Sequence, residues 1–399
     1  MRRNLLPLLL LALSAPAWGA YAYKATITLA QTTGSSNLTD RTNVIYISDA
    51  SFKVTGSGGQ IQHTVTINTQ ACPADLIFAS DSGGTSLLNY ACESYSGTGG
   101  TGYFHVKKTT SHTGTTTIYA FWGNASITTW QGGTYGSEFD SSIVAMVPFS
   151  SIPSTSCVGS VNYYDFSSYQ NTGTTNCSYG PSTGVVDGAE FDAGSNTPTF
   201  PGAAQYNITT GSWSLWWQPH SGTCNTASAG SYAIALSECS GSYCTDGLVL
   251  GCSTGNPSYL AAYVSKGGTG TSYTGTGTIL EGQLNHIGIS FQDGGVSTFY
   301  VAGAPAGTFT HAIGSPGSTP SFSLNRGYGT GGWGVMYIGA NFDQLYYANV
   351  IKSADWFAAE YNNDHAPATF AVVSGIGACV GTCGAGGGAA TVTMTPIIM

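Results

Sequence analysis

The densest run of chemically competent side chains lies near the C-terminus, in SADWFAAEYNNDHAPATF, residues 353–370. Asp355, Glu360, Asp364 and His365 fall within eleven residues, in a 399-residue chain with only 19 acids and seven histidines. Carboxylates and an imidazole at such spacing are the ingredients of acid–base catalysis or of a metal site. The local pattern also spells a helix. Ser353 can cap its N-terminus, Asp355 falls in the first turn where the dipole favours an acid, and Pro367 bars continuation. Phe357 and Tyr361, four apart, share a face that can dock on a sheet, with Trp356 beside them. Glu360 and Asp364 share another stripe, mutually repulsive unless solvated or bridged by a cation. The segment is expected to be a single short helix with its acids mostly in water, and the folded domain should end just after it. Glu360, Asp364 and His365 as ligands remain the alternative.

The other reactive groups are the ten cysteines. Cys72 and Cys92 stand alone in the first third, and a bridge between them would close a loop of about 20 residues, worth roughly 3 kcal/mol. Cys157 and Cys177 form a second isolated pair. Cys224, Cys239, Cys244 and Cys252 cluster, and Cys379 and Cys383 sit in the tail. The cluster lacks the paired C-x₂₋₄-C knuckles of a zinc site, so disulfides of open connectivity are expected there. No G-x-S-x-G elbow occurs and the histidines are scattered, which argues against a Ser-His-Asp hydrolase.

Composition indicates which elements must carry these residues. Charged residues make up 7% of the chain, against about 25% in ordinary soluble proteins. The 24 Tyr, 16 Phe, 8 Trp and 56 Gly, with abundant Thr, favour strands and turns over helices. The expectation is an all-β protein. Residues 1–20, MRRNLLPLLLLALSAPAWGA, have a basic start, an apolar stretch and small residues after it. They read as a general secretory signal, cleaved after Ala17 or Gly19. No later run of eighteen apolar residues predicts a membrane span. Acids outnumber Lys and Arg by 19 to 10, and the longest basic run is Lys107-Lys108, so nucleic acid is not an expected partner.

Alternating stretches such as YKATITLA, HTVTINT and GYFHVKK, spaced by Gly/Ser/Thr turns, place a first β-sandwich over residues 21–140. Its motif residues Asp75, Phe78, Asp81, Gly83, Glu93, Trp122, Gly123 and Asn124 resemble the domain of unknown function that precedes LamG-type jelly rolls in bacterial surface proteins. Residues 141–372 resemble a concanavalin A-like, LamG-type jelly roll through five stretches in order: YYDFSSYQNTGTTNCS, GVVDGAEFDAG, GSWSLWWQP, LNHIGISFQDGGVSTFYVAGAPAGT and IGANFDQLYYANVIKSADWFAAEYNN. The implied architecture is two β-sandwiches, the second a jelly roll closed by one short C-terminal helix. Residues 373–399 read as a flexible Gly-rich tail.

The resemblance also frames the site. Such jelly rolls often hold one calcium between an entry-segment acid and an acid on the last strand, here Asp165 and Asp343, helped by Asn341. The competing reading is that each Asp caps a turn. β-Glucanase relatives carry a Glu-x-Asp-x-x-Glu strand, but EFDAGS offers Glu190 and Asp192 with Ser195 in the third place, so catalysis is not expected. His286 occupies a position that is usually structural in relatives. Sugar recognition needs aromatic platforms. Period two puts Trp213, Leu215 and Trp217 on one face of their strand and Trp216 on the other. Trp216, Trp333, Tyr243, Tyr259 and Tyr263 are therefore the ligand-binding candidates. The functional expectation is an exported, non-catalytic binding protein recognising a glycan or a surface protein. The alternatives are a structural component of an extracellular or virion assembly and a glycoside hydrolase on an unrecognised site.

Overall fold

The structure, a computed structural model, describes residues 21–30, 34–150, 160–176, 181–192, 198–222, 224, 231–240, 243–253, 258–267, 269–324, 340–379 and 383. At 160–161, 175–176, 181–183, 188–192, 231–240 and 243–245 it describes backbone alone. The protein is an all-β sandwich protein with a short C-terminal helix.

The first strands are β1 (Tyr23–Leu29), β2 (Thr42–Ser48), β3 (Thr64–Ile67), β4 (Gln70–Pro73), β5 (Ile77–Ala79), β6 (Leu87–Leu88), β7 (Tyr90–Ser96), β8 (Thr101–Lys107) and β9 (Thr116–Trp122). Next come β10 (Ile143–Val147), β11 (Ser160–Tyr163), β12 (Gly173–Asn176), β13 (Pro181–Thr183), β14 (Gly188–Asp192), β15 (Thr199–Phe200) and β16 (Thr210–Pro219). The series continues with β17 (Ser231–Ser240), β18 (Tyr243–Cys252), β19 (Ser258–Lys266), β20 (Thr269–Ile279), β21 (Asn285–Gln292) and β22 (Val296–Val301). It closes with β23 (Ala304–Thr310), β24 (Ser321–Leu324), β25 (Ala340–Ala348), α1 (Ala354–His365), α2 (Pro367–Phe370) and β26 (Ala371–Ala378).

Five strands in the order β26-β1-β9-β5-β6 and three in the order β2-β8-β7 enclose the first core, built on Ile27, Leu29, Ile45, Ile47, Phe104 and Trp122. Alternation does the sorting: Ala25, Ile27 and Leu29 point inward along β1 while the residues between them are half-exposed. Two larger sheets enclose the second core. One runs β13-β14-β25-β16-β21-β22-β23, with β10 also on β25, and the other runs β11-β12-β15-β24-β17-β18-β19-β20. Trp213, Leu215 and Trp217 of β16 point into this core with Ile287, Ile289 and Phe342. The period-two reading of β16 thus matches the packing.

A third apolar cluster joins the sandwiches, with Ala91 and Phe139 on one side and Tyr346 and Ala348 on the other. Helix α1 lies across this seam. Ser353 Oγ accepts from Trp356 N–H at 3.2 Å, the expected cap. Phe357 stacks on Tyr300 with ring centroids 3.8 Å apart. That approach needs Gly288, where a Cβ would fall 2.5 Å from the Phe357 ring.

The tail departs from expectation. Residues 371–378 form β26, antiparallel to β1 and on the edge of the first sheet. Ala371 is buried in the first core, and Val373 and Ile376 pack against it. Without β26, one backbone edge of β1 would lack its strand partner. Folded structure therefore continues beyond the helix, and residues 371–378 complete the sheet to which residues 23–29 belong.

Candidate functional site

The acids of the helix are the largest difference between expectation and structure. Asp355 does lie at the surface, where its carboxylate accepts from Ser35 N–H at 2.9 Å. Glu360 and Asp364, expected in water, are 2% and 1% exposed. They face the outer surface of the second sandwich because Phe357 and Tyr361 pin that side of the helix to the sheet. Burial holds protons on both, raising Glu360 to about 8 and Asp364 to about 7. The same surface receives residues of the first sandwich. His105 Nε2 lies 2.7 Å from Glu93 Oε2, and Gln344 Nε2 donates to Glu93 Oε1 at 2.9 Å. Arg41 is buried too, donating to Asn43 Oδ1 at 2.6 Å and to the Ala359 carbonyl at 2.8 Å. Asn363 completes the joint as a substitute strand neighbour. Its Oδ1 accepts from Val44 N–H at 2.7 Å and its Nδ2 donates to Val44 O at 2.9 Å.

This network has the residue types of a catalytic site and the wrong geometry for one. Ser214 Oγ is 2.9 Å from His286 Nε2, and Glu360 Oε1 is 3.8 Å from that same nitrogen. A nucleophilic triad needs the hydroxyl and the acid on opposite ring nitrogens, with an approach for substrate. Here both share Nε2, and all three side chains are buried. Burial lowers His286 to about 4, so the imidazole is neutral at pH 7.

Trp216 does point away from the core, as its strand period requires, but it is not a surface platform. It is 3% exposed. Its ring stacks on Tyr361 at 5.5 Å and on His365 at 6.0 Å, with His286 edge-on at 5.2 Å. Its Nε1 donates to Asp364 Oδ2 at 3.4 Å. The outward face of β16 is roofed by α1, so Trp216 anchors the helix. Strand alternation reports which face a side chain takes, and it carries no information about what later covers that face.

Asp165 and Asp343 have the bonding of turn-organising carboxylates. Asp165 accepts from Met146 N–H at 3.0 Å, Ser167 N–H at 2.8 Å, Ser167 Oγ at 2.9 Å and Asn171 N–H at 3.0 Å. Asp343 Oδ2 accepts from Val185 and Val186 N–H at 2.7 and 3.0 Å. Calcium needs six to eight oxygen ligands, and the oxygens of Asp165 already hold four donors. The pair therefore does not fit a calcium shell. Among the described residues no group of three or more His, Cys, Asp or Glu is placed to hold a metal ion.

Tyr259 and Tyr263 remain as surface candidates. Leu260, Ala262 and Val264 of β19 enter the core, leaving Tyr259 and Tyr263 half-exposed on the opposite face. Four residues of strand separate them by about 13 Å. Across the ladder Tyr259 pairs with Thr278 and Tyr263 with Ser272. Ser272, Thr274, Thr276 and Thr278 of β20 are all exposed. The hydroxyl end of Tyr263 passes close to Gly270, where a Cβ would fall 1.7 Å from its hydroxyl oxygen. Trp333 and the side chains of Tyr243, Glu190 and Asp192 lie outside the described residues.

Cys72 and Cys92 are bridged, as are Cys379 and Cys383. Within the cluster, Cys224 joins Cys252, a pairing that spacing alone left open. Cys239 and Cys244 face each other in the β17–β18 register; their side chains, and Cys157 and Cys177 entirely, lie outside the described residues.

No family model matches the chain, and no curated protein matches it. Among solved structures, it overlaps domain 4 of AbnA, a GH43 extracellular arabinanase from Geobacillus stearothermophilus in complex with arabinotriose. That overlap has 15% identity and a TM-score of 0.39, covering 54% of this chain and 96% of that one. The binding domain of Paraclostridial Mosquitocidal Protein 1 overlaps at 11% identity and a TM-score of 0.41, over 55% of this chain and 52% of that one. Trypanosoma rangeli sialidase with the inhibitor DANA overlaps at 11% identity and a TM-score of 0.37, over 65% and 42%. At this identity and overlap the likenesses assign no activity.

Proposed function

We propose that the protein is an exported, non-catalytic glycan-binding protein that holds its ligand on the outward face of β19 and β20. The observation that carries this reading is the pairing of two half-exposed tyrosines, Tyr259 and Tyr263, with a row of exposed hydroxyls from Ser272 to Thr278. The apolar face of a pyranose stacks on an aromatic ring, and short hydroxyl side chains bond its rim in either direction. Six disulfide-bonded cysteines among the described residues suit an oxidising, extracellular setting.

The test is a polysaccharide panel read by affinity electrophoresis. Tyr259→Ala and Tyr263→Ala should each weaken binding about tenfold, the worth of one stacking contact of about 1–1.5 kcal/mol. Gly270→Ala should weaken it as well, because the added Cβ would displace the Tyr263 side chain without removing it. Absence of binding to any glycan, together with concentration-dependent oligomers, would refute the reading in favour of an assembly component.

A further inference from the structure

The seam between the sandwiches buries more acid than it can neutralise. Glu93, Asp343, Glu360 and Asp364 are all buried there, and the buried guanidinium of Arg41 acts on Glu360 and Asp364 from a distance. Its hydrogen bonds go to Asn43 Oδ1, Asn363 Oδ1 and the Ala359 carbonyl, none of them a carboxylate. Among the described residues, Asp343 Oδ1 and the Nδ1 atoms of His105 and His286 have no hydrogen-bond partner, and the oxygens of Glu360 have no close one, the His286 ring lying 3.8 Å away. An isolated ionised carboxylate buried in this way is strongly disfavoured, and a proton removes the problem.

We propose that α1 is a proton-dependent latch: it stays seated on the outer face of β16, β21 and β25 while Glu360 and Asp364 are protonated, and lifts as the pH rises and they ionise. The groups facing these two carboxyls come from every element around them. They are Arg41 just before β2, His105 of β8, His286 of β21 and Asp343 and Tyr346 of β25, with Lys352 and its partner Asp140 at the helix entrance. Glu93 of β7 completes the set, tied to His105 and Gln344. Tyr361 and His365 of α1 itself stack with Trp216.

The sign follows from the ionisations. Seated, Glu360 and Asp364 are raised to about 8 and about 7, and His105 and His286 are lowered to about 4, in each case first by burial. Exposed carboxyls titrate near 4 and exposed imidazoles near 6.5. His105, Glu93 and Asp343 lie in the seam and stay enclosed when the helix lifts. Between about pH 4.5 and 6.5, opening therefore releases two protons from Glu360 and Asp364, takes up one on His286, and grows about tenfold per pH unit. Above about 6.5 the histidine contribution ends. Opening then grows about a hundredfold per pH unit up to about 7 and about tenfold per unit from there to about 8.

Hydrogen exchange on the full chain between pH 5.5 and 9, corrected for the intrinsic rate, tests this. Protection of residues 354–365 should fall at least tenfold between pH 5.5 and 8.5, most steeply just above pH 6.5, while residues 285–292 keep theirs. The double variant Glu360→Gln, Asp364→Asn should abolish that fall. Constant protection of α1, a fall in step with β21, or a fall that survives the double variant would each overturn the proposal. If the variant does not fold, carbon-detected titration of the two carboxyls in the native chain decides: protonated at pH 6 supports the latch, and ionised at pH 6 overturns it.

Discussion

Replacing Trp216 separates two roles that the sequence alone cannot distinguish. A surface platform can be truncated with little loss of stability, whereas an anchor beneath a helix cannot. Trp216→Ala removes a side chain that is 3% exposed and leaves a cavity between β16 and α1. Such truncations cost about 3–5 kcal/mol, with the lower end expected here because the helix can settle partway into the space. The bond from Nε1 to Asp364 is long, at 3.4 Å, so Trp216→Phe, which keeps a ring against Tyr361 and His365, should cost about 1–2 kcal/mol. Urea denaturation of the three proteins at pH 6 measures these differences, and the polysaccharide panel measures binding on the same preparations. The expected result is a large fall in the Trp216→Ala midpoint, a small one for Trp216→Phe, and unchanged affinity for whichever glycan the wild type retains. A stable Trp216→Ala protein that has lost binding would refute the anchor role and restore Trp216 as the platform.

Two further outcomes are expected. Asn363→Ala should destabilise the protein by about 2–4 kcal/mol, because it strands the N–H and the carbonyl of Val44. Asn363→Asp should recover only part of that loss, since a carboxylate opposes the Val44 carbonyl; denaturant midpoints check both. Chelation by EDTA should leave the melting temperature unchanged, given that the carboxylate of Asp165 is filled by backbone and hydroxyl donors. A melting temperature that falls on chelation and recovers with calcium would contradict this.

Much of the first-level organisation was legible in the residues. Low charge, abundant Thr and aromatics, and period-two stretches define an all-β chain. The same alternation sends Trp213, Leu215 and Trp217 inward and Trp216 outward. Ser353, Asp355 and Pro367 bound a helix, because capping and proline geometry act within a few residues. The isolated pairs Cys72–Cys92 and Cys379–Cys383 were readable because nothing nearby competed for them.

What the chain does with its outward faces was decided only by tertiary structure. Glu360 and Asp364 look like solvated acids when the helix is considered alone. They are buried because β16 and β21 present Trp216, Gly288 and His286 where the helix lands, and because Val44 of the first sandwich takes Asn363. Residues 373–378 look like the start of a tail, yet the edge of β1, some 340 residues earlier in the chain, has backbone groups that need a partner. Local sequence sets which side of an element is apolar. Whether a polar side meets water or another part of the chain depends on long-range packing, and no short window contains that information.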